Sequence, residues 1–403
     1  MKEAIKWAPN QMPKTDCAKS LSLMSHAEME TALSFHKSFP QYAETPLAAL
    51  PNLASFLGLK GIYVKDESHR FDLNSFKVLG GSYAIAKYIA KKLGQKINEL
   101  DYNTMVSAET KQKLGDITFY TATDGNHGRG VAWAANKLRQ KSVVFMPAGS
   151  SQIRLQNILK EGSDASITEF NYDDAVRLAN KRALEDPNGV VVQDTAWEGY
   201  EEIPGWIMQG YGTMALEARL QLMSAGIERP THIFVQAGVG SLAGAVVGYF
   251  ANLFPANPPL MTVLEASAAD CLYLSCREGR LVEKKGDLST IMAGLSCGEA
   301  NTISWEILKN HARFFVSAPE WLASRGMRLL AAPLKGDSKV VSGESGAVTA
   351  GLLYTLLRNS EYSDFCEALG LNADSVVLLF STEGDTDPDK YRDIVWDGEY
   401  PSY

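Results

Sequence analysis

The chain has 403 residues, a formal net charge of −8, 45% apolar residues and 21% charged residues. This is an ordinary globular composition, long enough for roughly two to three domains around a large core. The acidic balance excludes a basic face for nucleic acid or an anionic membrane surface. The start, Met1-Lys-Glu-Ala-Ile-Lys-Trp7, has no apolar leader and no run approaches a bilayer span, so a cytoplasmic protein acting on a small molecule is expected. The five cysteines, at 17, 271, 276, 297 and 366, form no Cys-x-x-Cys pair and no zinc spacing, so no metal site is expected and buried thiols are the default.

In chain order, residues 1–40 read as an arm with a helix near Ala27 to Phe35 and no recognisable chemistry. Thr45-Pro46-Leu47 leads into a helix, Leu50 to Leu57, with Pro51 in its first turn. Gly61 to Glu67 reads as a strand ending in charge, although Asp66 and Glu67 also fit plain turn charges. A polar turn follows, then Lys77 and the pair Gly80-Gly81, and Ser82 to Leu93 carry apolar residues at helical spacing. Gln95 to Leu114 is weakly patterned.

Strands are then expected at Asp116–Thr121, Ser142–Met146 and Ala165–Phe170, alternating with helices at Arg129–Leu138, Gln152–Leu159 and Asp173–Leu184. Beyond Val190-Val-Val-Gln-Asp194 a second block places strands at His232–Gln236, Met261–Glu265 and Ser375–Ser381. Its helices fall at Ile207–Met223, Leu242–Leu253 and Ala347–Arg358. Alternation of this kind predicts an α/β fold of two parallel-sheet lobes with a cleft between them. Residues 84–190 would form the small domain, and 1–83 with 191–403 the large one.

Lys77, in Asp72-Leu-Asn-Ser-Phe-Lys77-Val-Leu-Gly80-Gly81, sits at a strand-to-helix junction, where α/β proteins place ligands. Most lysines are solvated surface charges. Between Phe76 and Val78-Leu79 this one would be partly desolvated, with its pKa pushed down, which makes it a candidate Schiff-base nucleophile.

Gln236-Ala-Gly238-Val239-Gly240-Ser241-Leu242-Ala-Gly244 lies between a strand and a helix, so its N–H groups converge on an anion site. With Glu265 ending the next strand, the same run also fits a dinucleotide fingerprint and hence a nicotinamide-dependent dehydrogenase, or a merely structural glycine turn. A Schiff-base lysine beside a phosphate cradle favours pyridoxal phosphate instead.

Asn74-Ser-Phe-Lys77-x-x-Gly80-Gly81 resembles the cofactor-lysine motif of the fold type II pyridoxal-phosphate enzymes, the tryptophan synthase β and threonine dehydratase superfamily. From Thr45-Pro46-Leu47 to Ser381-Thr-Glu-Gly-Asp-Thr-Asp387 the chain is similar to one branch, the diaminopropionate ammonia-lyases. Leu79 stands where the wider dehydratases carry arginine.

The resemblance implies that pyridoxal 5'-phosphate is held by Lys77, its phosphate by Gly238, Val239, Gly240, Ser241 and Leu242, and its pyridine nitrogen by a hydroxyl of Ser381 or Thr382. Thr123-Asp124-Gly125-Asn126-His127 is similar to the dehydratase loop whose asparagine meets the pyridine 3-oxygen and whose amides take the substrate carboxylate. That carries to Asn126, and to Thr123, Asp124 and Gly125 as substrate-binding positions; an ordinary Asp-Gly-Asn turn is the plainer account. His127 is read only as orienting the loop.

Asp124 replaces a neutral residue of the dehydratases. It would suit a cationic substrate or act as a second base opposite Lys77, so that the L- and D-isomers of 2,3-diaminopropionate both react. Asp194 would hold the departing β-ammonium, or else simply cap the residues that follow it. Glu344, in Ser342-Gly-Glu344-Ser-Gly346, is expected near the ring. Cys271 and Cys297 would both lie near the site as a redox-sensitive pair. The expected reaction yields pyruvate and two ammonia from a homodimeric enzyme. A serine or threonine dehydratase, the dehydrogenase and a catalytically dead binding protein are the alternatives.

Overall fold

Apolar, β-branched stretches bounded by turns become strands, and the strands gather into two sheets among the residues that the structure, a computed structural model, describes: 3–123 and 125–401. In chain order they are β1 (Lys6–Pro9), β2 (Leu47–Ala49), β3 (Gly61–Asp66), β4 (Thr118–Ala122), β5 (Lys141–Met146) and β6 (Asp164–Ile167). They continue with β7 (Gly189–Val191), β8 (His232–Gln236), β9 (Leu260–Ala266), β10 (Phe314–Ala318) and β11 (Val376–Ser381).

The larger sheet has the order β1-β10-β9-β8-β11-β3-β2, and the smaller one β6-β5-β4-β7. The smaller sheet is parallel throughout; in the larger, only the edge strands β1 and β2 run antiparallel to their neighbours. Central strands β8, β10 and β11 are buried at every position, as continuous apolar runs in a sheet covered on both faces must be.

Register decides where the chemistry collects. Ser381 pairs with Asp66 and Leu379 with Phe234, so β3, β8 and β11 end side by side. The loops beyond them carry Lys77, Gly238–Leu242 and Thr382-Glu383. In the smaller sheet, β4 and β7 are neighbours, and their ends lead to Thr123 and Asp194. Parallel sheets gather ligand-binding loops at their carboxyl ends for this reason.

The helix Lys77–Leu93 packs against Glu202–Ser224 and Asn126–Lys137. Glycine makes the approach possible. A Cβ on Gly80 would meet the Tyr211 ring at 2.5 Å, and one on Gly210 would meet the Leu79 carbonyl at 2.3 Å. The same closeness brings Lys77, Asn126 and Tyr211 to one place.

Two expectations change. The N-terminal residues are part of the body: β1 extends the large sheet through β10, and the helix His26–Lys37 packs on Glu202–Ser224 with His36 buried against Thr213, Ser82 and the Leu79 carbonyl. Strand β10, short and embedded in mixed polar sequence, was not foreseen.

Glu67 is no turn charge. Fully buried, it accepts from Arg70 Nε at 2.9 Å and Nη2 at 2.8 Å, while Glu217 takes the other side of Arg70 and pairs with Lys65 at 2.7 Å. Two cations and two carboxylates thus neutralise one another in the core.

Candidate active site

Lys77 is the first residue of its helix, Lys77–Leu93, which starts five residues before the expected Ser82. The turn before it is strained: Phe71, Asp72 and Asn74 all have positive φ, at 50°, 58° and 60°. Asn74 is tied down by donating from Nδ2 to Asp385 at 3.0 Å and accepting at its carbonyl from Gly384 N–H at 3.1 Å. This turn aims the lysine into a cleft between the two sheets.

The Lys77 ammonium donates to Asp194 Oδ2 and lies 5.6 Å and 5.9 Å from the ring centroids of Phe76 and Tyr211. Tyr211 OH also donates to Asp194 Oδ2, at 3.3 Å. Burial works to raise the Asp194 carboxyl, but the charges of Lys77 and His127 and the hydrogen bonds from Lys77 and Tyr211 outweigh it and hold the group well below the usual carboxylate range. Asp194 is therefore a committed anion facing the lysine and not a helix cap. His127 is bound through Nε2 to the Val192 carbonyl at 2.8 Å, with Nδ1 3.9 Å from Asp194.

Gly238–Leu242 forms the wall opposite. Gly240, at φ 97°, caps the helix Ser241–Leu253, whose first N–H groups have no partner within the helix. A Cβ on Gly238 would meet the Gly294 carbonyl at 2.9 Å and Cys297 Sγ at 3.2 Å. Ser241 Oγ donates to the Asp194 carbonyl and accepts from Asn301 Nδ2 at 2.8 Å, which fixes the loop to the strand end that bears Asp194.

Asn126, at the start of the helix Asn126–Lys137, donates from Nδ2 to Glu383 Oε2 at 2.5 Å. Thr123 Oγ1 accepts from Gly125 N–H at 2.9 Å and so shapes the loop. Asp124 lies outside the described residues. Thr382 lines the cleft and its Oγ1 accepts from Gln236 Nε2 at 2.9 Å, leaving its own hydroxyl proton available to a ring nitrogen. Ser381 sits behind it, donating to Ser342 Oγ at 2.8 Å.

The sequence reading missed Tyr211, Asn301, Glu383 and the run Ala293-Gly-Leu-Ser296 beside the glycine loop, whereas Cys297 and Ser345, from segments expected near the site, do line the cleft. Two of these had signals: Tyr211 stands between Gly210 and Gly212 in an otherwise apolar helix, and Glu383 directly follows the hydroxyl pair.

The dinucleotide alternative fails on Glu265. Its two oxygens accept from Leu272 N–H at 2.8 Å and Tyr273 N–H at 2.6 Å, fully buried, with burial pushing the carboxyl up to about 8; none of it is left for a ribose. No disulfide is present among the described residues, and burial drives the Cys271 thiol well above its ordinary value. Glu344 is buried at the head of the helix Glu344–Arg358, its carboxyl pushed up to about 7 by burial and by the charge of Glu383.

The donor set fits pyridoxal phosphate. A glycine-walled anion cradle, a lysine across from it and a hydroxyl with a spare proton stand in one cleft, where Ser345 Oγ is buried without a hydrogen-bond partner among the described residues. The fold and the cleft thus define a pyridoxal-phosphate enzyme of fold type II.

A family model described as "Pyridoxal-phosphate dependent enzyme" matches residues 39–381. The chain is 52% identical to the diaminopropionate ammonia-lyase of Salmonella typhimurium, with 99% of each chain covered. It superposes with a TM-score of 0.92, at 44% identity and 99% and 98% coverage, on the crystal structure of the Escherichia coli diaminopropionate ammonia lyase in complex with D-serine. Against the same enzyme in complex with an aminoacrylate-PLP azomethine reaction intermediate the TM-score is 0.89 at 44% identity, covering 98% of both chains. The chain belongs to the diaminopropionate ammonia-lyases within the pyridoxal-phosphate-dependent enzymes.

Proposed function

We propose that this protein eliminates ammonia from both enantiomers of 2,3-diaminopropionate, giving pyruvate and two ammonia. The observation that carries the reading is the Lys77–Asp194 ion pair facing the Gly238–Leu242 cradle in a single cleft. The cofactor, when bound, supplies a carbonyl carbon that links to an amine and a ring that draws electrons from the adjacent Cα.

Lys77 Nζ would hold the cofactor, and as a free amine it takes the Cα proton of the L-isomer. Asp124 takes that proton from the D-isomer on the opposite face. Asp194, a buried anion, orients Lys77 and receives the β-ammonium, so that the group leaves Cβ as neutral ammonia with the C–N electron pair. The N–H groups around Gly125, with Thr123, hold the substrate carboxylate, and Asn126 holds the 3-oxygen. Released 2-aminoacrylate takes up water and falls to pyruvate and the second ammonia.

Distant resemblance to serine and threonine dehydratases leaves a hydroxyl amino acid as the second reading, favoured only by the D-serine bound to the E. coli relative. The small lobe would comprise residues 84–190 and the large lobe 1–83 with 191–403, in a cytoplasmic homodimer. No helix among the described residues is long and apolar enough to cross a membrane.

The test is an absorption spectrum before and after borohydride, with Lys77→Ala as control, followed by pyruvate and ammonia assays on diaminopropionate, serine and threonine. A near-visible band that borohydride removes and Lys77→Ala lacks, with turnover fastest on diaminopropionate, is expected. A colourless protein that cannot be reconstituted would refute the cofactor role; preference for threonine or serine would refute the substrate.

A further inference from the structure

We propose that Glu383 is a positioning residue for the cofactor ring, holding the Asn126 amide in the one orientation that turns an N–H toward the ring's 3-oxygen. The inference rests on the reading that Asn126 meets that oxygen.

Glu383 is 3% exposed, and both of its carboxylate oxygens are engaged. Oε2 accepts from Asn126 Nδ2 at 2.5 Å and Oε1 from the backbone N–H of Ser345 at 3.1 Å. Its main chain is equally fixed: Gly343 N–H donates to the Glu383 carbonyl at 2.9 Å, and Glu383 bridges to Ser75, two residues before Lys77. A side chain anchored at both ends is a rigid acceptor.

The consequence for Asn126 is geometric. An amide has an acceptor end and a donor end with two N–H groups. Turned the other way, Oδ1 would face a carboxylate, two acceptors in contact inside a buried site, so Glu383 admits only the donor end. One N–H of Nδ2 is then taken by Glu383 and the second is left for the cleft, which Asn126 and Glu383 both line. The contact also crosses from the head of the Asn126–Lys137 helix, beside the smaller sheet, to the loop after β11 of the larger one, so the ring contact and the closeness of the two sheets are set together.

Glutamine cannot replace Glu383 here. Its amide nitrogen would confront either the Ser345 N–H or the Asn126 N–H, and relief of the second clash requires Asn126 to flip.

The experiment is a double-mutant cycle on pyridoxal-phosphate affinity, titrating apoprotein and following the near-visible band, with melting temperature recorded for every variant. Glu383→Ala and Asn126→Ala are each expected to loosen the cofactor about tenfold, the loss of one charge-assisted hydrogen bond, and to move the band. The double variant should be no weaker than Asn126→Ala alone. Independent, multiplying losses, or wild-type affinity and band position in Glu383→Ala, would overturn the proposal. Should Glu383→Ala fail to fold, Glu383→Leu, which keeps bulk but has no acceptor, decides: loosened binding with a shifted band supports it, and wild-type values overturn it. If Asn126→Ala itself changes neither affinity nor band, the reading of Asn126 falls and this inference with it, an outcome distinct from failure at Glu383 alone.

Discussion

Lys77 opens the helix that follows β3 of the larger sheet, Asp194 lies just beyond β7 of the smaller one, and they meet as an ion pair in which the lysine side chain is 17% exposed and the aspartate 3%. Because the carboxylate is buried and ionised, its partner cannot be removed without consequence. Asp194→Asn should lower kcat/KM for diaminopropionate by about 10²- to 10³-fold, since both the orientation of Lys77 and the acceptor for the β-ammonium are lost. In the cofactor-free protein, Lys77→Ala should destabilise by about 3–5 kcal/mol by leaving the Asp194 charge uncompensated, and adding Asp194→Asn should restore part of that loss. Urea midpoints of the three variants check this; a Lys77→Ala protein as stable as the parent would show that the pair is not coupled.

Stereochemistry isolates Asp124. If this residue is the base for one enantiomer and Lys77 for the other, Asp124→Asn should cut turnover of D-diaminopropionate by about 10²-fold or more while the L-isomer keeps most of its rate. Pyruvate formation from each pure enantiomer measures the ratio. Equal losses would mean that Asp124 binds substrate without abstracting a proton.

The cradle is tight enough to be tested by one methyl group. A Cβ on Gly238 meets backbone, the Gly294 carbonyl at 2.9 Å and Leu295 Cα at 3.2 Å, so the Ala293–Cys297 run must shift. Gly238→Ala should weaken pyridoxal-phosphate binding by about tenfold or more, at a stability cost of about 1–3 kcal/mol. Titration of apoprotein with the cofactor would read the effect, and unchanged affinity would mean that the phosphate is held elsewhere.

Much of this was legible because it is local. The alternation of apolar runs gave β8 at its true limits, and the glycine run after it exposed the anion cradle, since both depend on neighbours in sequence. Glu383 and Tyr211 carried only weak local signals, because their roles depend on contacts 257 and 17 residues away, to Asn126 and to Asp194. Strand β1 was missed for a related reason: four residues with one buried position carry little periodic signal, and only the long-range pairing to β10 makes them a strand. Asp66 and Glu67 stood side by side as charges, yet Arg70 and Glu217 turned Glu67 into core.

That core pair carries the last prediction. Burial acts to raise the Glu217 carboxyl, but the charge and hydrogen bonds of Arg70, and then those of Lys65, depress it to about 2 from an ordinary 4.5. A depressed carboxyl stabilises the folded state fully above its unfolded value and loses that contribution as pH falls from 4.5 toward 2, because the unfolded chain takes up the proton first. Glu217→Gln leaves Lys65 and Arg70 facing Glu67 alone and should cost about 3–5 kcal/mol at neutral pH. The gap between the parent and Glu217→Gln should hold constant from pH 7 to 5 and then narrow by up to about 1.4 kcal/mol per unit below pH 4.5. Urea denaturation from pH 7 down to 3 measures it, and a gap that stays the same at pH 3 would show that the Glu217 charge is not what holds Arg70 and Lys65 in the core.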